Sequence, residues 1–289
     1  MGTDVTLLHR FVVSELVAAG LDRDPLLREC GIPEWTLSGP GVHLPSATFA
    51  RLWEIGSDRL GEPDLPLRIG TRYPLKTAEL FDFLFATAAT VGAGLATCGP
   101  YITAVSTNHG AVLGFEDADR ATLSLEMIEG EGRGRELVQL WGLTAMLTRT
   151  RRVVEGRLDP VRVTLRQPAP PDDRPYTDVF GTAGIEFGAD ADSMTFRAAD
   201  LDRPLTTADP MLAQVLRPLA ETLPPPPELP AAWPRRVARA LRAALEDGEV
   251  SLEVVARRLA ISPRTLQRRL AEAGTSWRRE LDRALGGRR

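Results

Sequence analysis

The sequence predicts an α+β N-terminal domain followed by a small all-α helix-turn-helix domain. Three observations carry that expectation. Hydrophobic spacing switches between the helical period and strict alternation before residue 222, so helices and strands mix there. The proline run in 223–232 cannot extend a helix or donate to a sheet, so it reads as a stiff linker between domains. Charge is divided across that linker. Residues 231–289 hold 14 arginines against 7 acidic residues, a balance of +7, whereas residues 1–230 carry −11. A basic segment on an acidic body can meet a polyanion while the body repels it.

The elements follow in order. LLHRFVVSELVAAGL (7–21) has apolar residues at helical spacing, closed by Gly20. PSATFARLWEIGSDRLG (45–61) reads as a helix capped by Ser46, with Phe49, Leu52, Trp53 and Leu60 inward. TAELFDFLFATAAT (77–90) is apolar on nearly every side and reads as a buried helix; GAGLATCGPYITAVS (92–106) starts another, interrupted at Pro100. HGAVLGFEDADRATLSLEMIEG (109–130) alternates around a polar centre and reads as a β-hairpin. ELVQLWGLTAMLTRTRRVVEG (136–156) is a long amphipathic helix ended by Gly156. PVRVTLRQ (160–167) and SMTFRAADL (193–201) read as strands, and ADPMLAQVLRPLAETL (208–223) as a last helix before the linker.

Beyond the linker, Ser251 is a good N-cap, with Glu253 in the first turn. Leu252, Val255, Ala256 and Leu259 then form one buried stripe. After a short break at Ala260-Ile261, Ser262 caps a second helix, Pro263 takes its first position, and Gly274 stops it. Leu266, Leu270 and Ala273 share one face of that helix; Arg264 and Arg268 lie almost opposite, with Gln267 beside them and Thr265 and Arg269 on a flank. Two short helices, a tight turn and an outward display of Arg and Gln are the parts of a helix-turn-helix. Arg and Gln are also the side chains that read guanine and adenine edges bidentately.

Other chemistries find little support. The two cysteines, Cys30 and Cys98, form neither a CxxC pair nor a disulfide framework, and read as thiols in a reducing cytoplasm. The histidines His9, His43 and His109 lack metal-ligand spacing, so neither metal nor other cofactor is expected. GAG at 92–94 lacks the context of a nucleotide loop, and Ser106, Asn108 and His109 lack a nucleophile elbow, so the chain is not expected to be an enzyme. No run reaches the roughly 18 apolar residues of a membrane span, and MGTDVTLLHR lacks a signal-peptide core. A cytoplasmic protein without membrane contact is expected. A small-molecule effector pocket is also expected. It rests on the Leu140, Trp141, Leu143, Leu147 stripe of the long helix and on Phe83, Tyr101 and Asn108, with Trp141 the helix's contribution.

ARRLAISPRTLQRRLAEAGTSW (256–277) resembles the first helix-turn-helix of the AraC-type transcriptional regulators. LVAAGLD (16–22), LPSATFARLWEIGSDRLGEPDLPLRIG (44–70) and PVRVTLRQPAPPDDRPYTDVFGTAGIEFGADADSMTFRAADLDRPLTTADP (160–210) resemble the arabinose-binding-like domain upstream of it in one branch of that family. The resemblance implies an effector-binding or dimerisation domain over 1–222, a linker over 223–232 and a DNA-binding domain over 233–289. Carried over by position, it implies that the recognition helix starts at Ser262 and that Arg264, Gln267 and Arg268 face bases in double-stranded DNA. Ser251, Arg257, Arg258, Ser262, Thr265 and Arg269 are placed to hold phosphates. An unidentified small-molecule effector and a homodimer are the other partners implied.

Two departures from the family pattern stand out. Ala260 occupies a turn position where the family usually has glycine, and the sequence stops at LDRALGGRR, where family members continue into a second helix-turn-helix. A regulator truncated after its first reading head is therefore expected. The alternative is a ligand-binding or dimerising protein without autonomous specific DNA binding.

Overall fold

The computed structural model describes residues 2–227, 237, 240, 241, 244, 245, 250–259, 261–272 and 274–286. They belong to two compact units, Met1–Pro227 and Glu228–Arg289. Of the expected linker, residues 228–232 lie outside the described residues, as do Ala260 and Ala273.

In the first unit, β1 (Thr3–Val5) runs into α1 (Thr6–Ala18), followed by α2 (Arg23–Cys30). β2 (His43–Pro45) pairs antiparallel with β1 and leads into α3 (Ser46–Leu60), then α4 (Leu65–Gly70), α5 (Leu80–Ala86) and α6 (Val91–Cys98). The hairpin is β3 (His109–Phe115) and β4 (Arg120–Met127), followed by α7 (Gly132–Arg151). β5 (Arg162–Leu165), α8 (Arg174–Phe180), β6 (Ile185–Phe187), β7 (Asp192–Arg197), α9 (Ala198–Leu201) and α10 (Pro210–Ala220) complete the unit. The larger sheet has the order β3-β4-β7-β5-β6 and is antiparallel except for the β5–β6 pair. Mixed α+β architecture is therefore what the chain adopts.

The long helix α7 lies between layers, packed on β4 and β7 on one side and on α3 and α4 on the other. This explains why it is buried nearly all round, polar residues included. Leu137, Leu140, Leu143 and Leu147 are all buried, and so are Thr144 and Thr150, which satisfy their hydroxyls on Leu140 O and Met146 O within the helix. At α3, Gly56 stands where a β-carbon would come within 2.7 Å of Leu16 Cδ2, so α1 and α3 touch closely there.

Several boundaries correct the sequence reading. Ser46 is the first residue of α3 rather than its cap: Pro45 holds the cap position, and the Ser46 N–H donates to Gly2 O at 2.9 Å. The helix expected over 77–90 shrinks to α5, because the loop before it wraps around a buried carboxylate. α7 begins four residues earlier than expected and ends at Arg151; Gly156, at φ +74°, lies in the turn beyond. The strand expected over 193–201 ends at Arg197, and the chain turns helical at Ala198. α2, α4, α8, β1, β2 and β6 are too short for a periodic signal to reveal.

In the second unit, α11 (Leu252–Arg258) and α12 (Pro263–Glu272) are joined by four residues, and α13 (Trp277–Gly286) follows. Their core is separate and small: Val237, Ala240, Leu241, Ala244, Val255, Ala256, Leu266 and Leu270, flanked by Leu252, Leu259, Ile261 and Trp277 among others. The expected caps form. Ser251 Oγ accepts the Val254 N–H and Ser262 Oγ accepts the Thr265 N–H, both at 3.1 Å. Gly274, at φ +71°, closes α12 with its N–H on Ala271 O, and the Thr275 N–H returns to Leu270 O. No described helix is long and apolar enough to cross a membrane.

Candidate functional site

A cavity of about 80 Å³ in which water centres fit opens beside α7 in the first unit. On the scale of ~10–15 Å³ per water, that holds several waters or a small molecule. Its α7 wall is Val138, Trp141, Gly142, Ala145, Met146 and Arg149. Those positions follow i, i+3, i+4, i+7, i+8, i+11, one face of a helix. The small Ala145 side chain leaves room along that face, and at Gly142 a β-carbon would come within 2.6 Å of Leu125 Cδ2, so β4 packs closely there. The remaining wall comes from β1 (Asp4), α1 (Leu8), α3 (Phe49), α5 (Phe81), β3 (His109), β4 (Leu125) and the segments holding Tyr73 and Ile102–Ser106.

Aromatic rings dominate one side. The Trp141 centroid lies 5.3 Å from that of Phe49 and 6.1 Å from that of Tyr73, both edge-on. At one end sits a buried ion pair. Arg149, 2 % exposed, donates from Nη1 to Asp82 Oδ1 at 3.1 Å, and Asp82 is fully buried. Arg149 Nη2 reaches Cys98 Sγ at 3.1 Å, and the guanidinium lies 4.3 Å and 4.8 Å from the Phe85 and Phe81 ring centroids. Asp82 Oδ2 accepts the Tyr73 hydroxyl and the N–H groups of Lys76 and Ala78 at 3.0, 3.1 and 2.9 Å. The loop that aims those N–H groups holds Lys76 at φ +92° and Glu79 at φ +45°, a backbone region costly for side-chain-bearing residues. Burial, chiefly, lifts the Tyr73 phenol far above its ordinary range, and the Asp82 charge adds to it.

At the other end lie Asp4, Ser106 and His109. Ser106 Oγ and His109 Nδ1 share a hydrogen bond of 2.8 Å, and Asp4 Oδ1 is 3.6 Å from the same Nδ1. Burial, the largest influence, pushes the Asp4 carboxyl up. His109 pulls it down by hydrogen bond and charge, with the Ser106 and Ser46 hydroxyls acting in the same direction, and the net result is a lowered pKa. The trio does not form a catalytic relay. A relay needs the hydroxyl and the carboxylate on opposite ring nitrogens, and here both address Nδ1. Among the described residues, no group of three or more His, Cys, Asp or Glu could hold a metal ion.

Of the four residues expected in a pocket, Trp141 lines this cavity and the other three do not. Phe83 sits two residues beyond Phe81 on α5, about 200° around the helix, and is half-buried on another side. Tyr101 lines a different groove, between α6 and α10, with Leu84, Thr97 and Gln214. Asn108 is structural: its side-chain amide accepts the Glu129 N–H at 2.8 Å and donates to Glu129 O at 3.0 Å, tying the ends of β3 and β4. Sequence reading passed over Asp4, Tyr73, Arg149 and the placing of His109. The one available signal was the second stripe on α7, with small residues at 142 and 145 and an arginine at its end.

The second unit presents a contrasting surface. α12 buries Leu266 and Leu270 completely and leaves Arg264, Gln267 and Arg268 exposed. Thr265 and Arg269 are half-buried at the flank; Arg257 and Arg258 are exposed at the end of α11. The hydroxyls of Ser251 and Ser262 are engaged as caps, and Ser262 Oγ also lies 2.9 Å from Thr265 Oγ1.

The sequence profile of the arabinose-binding N-terminal domain of AraC transcription regulators matches residues 20–205. The chain belongs to the AraC transcription regulator family. This AraC-type chain is also 28 % identical, over 96 % of its own length and 81 % of the relative's, to the ornithine utilization regulator of Pseudomonas aeruginosa strain PAO1. The crystal structure of the transcriptional regulator CdpR from Pseudomonas aeruginosa superposes with a TM-score of 0.55, covering 98 % of this chain and 84 % of that one at 21 % identity. That similarity establishes a shared fold. The profile match takes in α3, α7 and the five-stranded sheet, so most of the cavity wall belongs to the ligand-binding domain of an AraC-type regulator.

Proposed function

We propose that this chain is a transcription regulator whose first unit binds a small effector in the α7 cavity and whose second unit binds double-stranded DNA. In domain terms the effector-binding or dimerisation domain is 1–222, the linker 223–232 and the DNA-binding domain 233–289. The observation that carries the DNA part is the two-sidedness of α12: Leu266 and Leu270 are buried while Arg264, Gln267 and Arg268 are exposed on a helix capped at Ser262. Such a helix can lie in the major groove with its outward side chains on base edges. Arg257, Arg258, Thr265 and Arg269 flank that face and are suited to phosphates. Ser251 and Ser262 serve the same contact through the helix N-termini their hydroxyls cap. Charge agrees with this division: the basic excess sits in residues 231–289. A homodimer would set two such helices on one operator, and the ornithine utilization regulator makes control of a small metabolite's use a reasonable output for this chain as well.

The test is fluorescence anisotropy of the full chain on DNA from upstream of its own gene and on scrambled DNA, across a salt series. Preference for the upstream DNA of at least about tenfold, near 1.4 kcal/mol, that Arg268→Ala abolishes is the expected result. Equal, weak binding to both DNAs that disappears at moderate salt would leave only phosphate attraction. It would favour instead a ligand-binding or dimerising protein without specific DNA recognition of its own.

A further inference from the structure

A close-packed protein interior holds few voids larger than a water molecule. The α7 cavity is an exception, and the character of its wall defines what can fill it. At ~10–15 Å³ per water, its volume of about 80 Å³ corresponds to about five to eight waters, the room of a molecule with one or two rings. Most of the wall is hydrocarbon: Leu8, Ile102, Val105, Leu125 and Val138 stand on it beside aromatic rings. Phe49 and Tyr73 both meet Trp141 edge-on, at interplanar angles of 76° and 66°. A further ring can extend such an arrangement.

The charged groups on the wall are already held by the protein. Tyr73 gives its hydroxyl to Asp82, and Arg149 donates to Asp82 and Cys98 with its guanidinium against Phe81 and Phe85. Ser106 Oγ accepts the Asn108 N–H at 3.0 Å and shares a hydrogen bond with His109 Nδ1, the atom that Asp4 Oδ1 also faces. Asp4 Oδ2, Trp141 Nε1 and Arg149 Nε lack partners, but all three are closed off from water and so lie behind the wall rather than on it. An ionic ligand would therefore meet no counter-ion unless one of these pairs broke, and an unpaired buried charge is costly. An uncharged ring only exchanges water for apolar surface.

We propose that the cavity binds an uncharged aromatic molecule of one or two rings, seated against Phe49, Tyr73 and Trp141. This rests on the reading of the α7 cavity as the effector site.

The experiment is sealed-cell calorimetric titration of the full chain with toluene, methylcyclohexane, benzoate and benzylamine, on the wild type and on Ala145→Leu, which fills the cavity. Toluene should bind several-fold tighter than methylcyclohexane and at least about tenfold tighter than benzoate or benzylamine. Ala145→Leu should weaken toluene at least about tenfold; should that variant not fold, Val138→Phe on the same face of α7 takes its place. Methylcyclohexane as tight as toluene overturns the aromatic preference. Benzoate or benzylamine as tight as toluene, and still blocked by the filled cavity, overturns the uncharged class and leaves the site standing. If no probe binds, or if filling the cavity changes nothing, the site and the ligand class fall together. Toluene binding that leaves the chain's anisotropy on upstream DNA unchanged would uphold the ligand class and remove the effector role.

Discussion

The two units differ in where they place their functional arginines. In the first, most arginines are exposed, but a few guanidinia are drawn inward and paired. Arg149 is held between two phenylalanine rings and Asp82. Arg135, 8 % exposed, meets Asp192 at 3.0 Å under the sheet, where Gln139 also donates to the same carboxylate. Arg151 bonds the backbone carbonyls of Leu158, Val179 and Phe180 and so pins two segments to the end of α7. In the second unit, Arg264 and Arg268 project from a helix whose opposite side forms the core. The difference follows from core size. The first unit is large enough to enclose a charge together with its partners. The second has a core of a few side chains per helix, and Arg264 and Arg268 stand exposed outside it, where a polyanion can reach them.

The sharpest test of this comparison is Arg149→Ala, which strands a buried Asp82. Loss of one partner from a buried pair costs about 3–5 kcal/mol. Urea denaturation should show the first unit's transition shifting by that amount, and Arg149→Lys, which keeps a cation beside Asp82, should recover a good part of it. A shift below 1 kcal/mol would mean that water reaches the pair. Next in size is Leu266→Ala in the small core, expected to cost about 2–4 kcal/mol. Calorimetry should place that loss in the second unit's melting alone, and coupled melting of both units would break the view of two separate cores. Arg264→Ala should leave stability within ±0.5 kcal/mol and remove about 1–3 kcal/mol of discrimination between cognate and mismatched DNA. Unchanged discrimination would remove Arg264 from the base-reading face. Ser262→Ala should cost about 1 kcal/mol through the lost cap of α12, read out as the same shift in the second unit's transition.

The smallest effects concern titration in the first unit. Burial is the main reason that the His9 pKa lies below its ordinary 6.5; the Val5 carbonyl and Asp4 pull the other way without winning. The unfolded chain therefore binds a proton more readily than the folded one. Stability from this group is full above pH 6.5 and is lost as pH falls toward the lowered folded value. A His9→Gln variant should show a flatter stability profile across that window. An equal slope in the two proteins would assign the acid loss to other groups. Burial likewise lifts the Cys30 thiol to about 11, so its alkylation at pH 8 should be far slower than that of a free thiol.

How much of this was legible in the sequence depends on distance along the chain. The caps at Ser251 and Ser262, the stop at Gly274 and the two-sided α12 could all be read from neighbouring residues, because caps and amphipathic stripes are interactions over three or four positions. The hairpin at 109–130 was legible for the same reason. Ser46 misled because its hydroxyl suits a cap, while the pairing of β1 with β2 makes Pro45 the cap residue and Ser46 the first helical one. On α7, the leucine stripe pointed to the core. The cavity lies on the face with Gly142 and Ala145, which hydrophobic periodicity ranks lowest.

By itself, then, the sequence determined the mixed α+β class, the division of charge and the helix display at 263–272, since composition and local spacing suffice for each. Only the tertiary structure decided that Asp4, Tyr73, Ser106, His109, Trp141 and Arg149 share one cavity. Those residues are up to 145 positions apart. They meet because α7 is clamped between a sheet and two helices, and no pattern within a helical turn or a strand pair encodes that meeting.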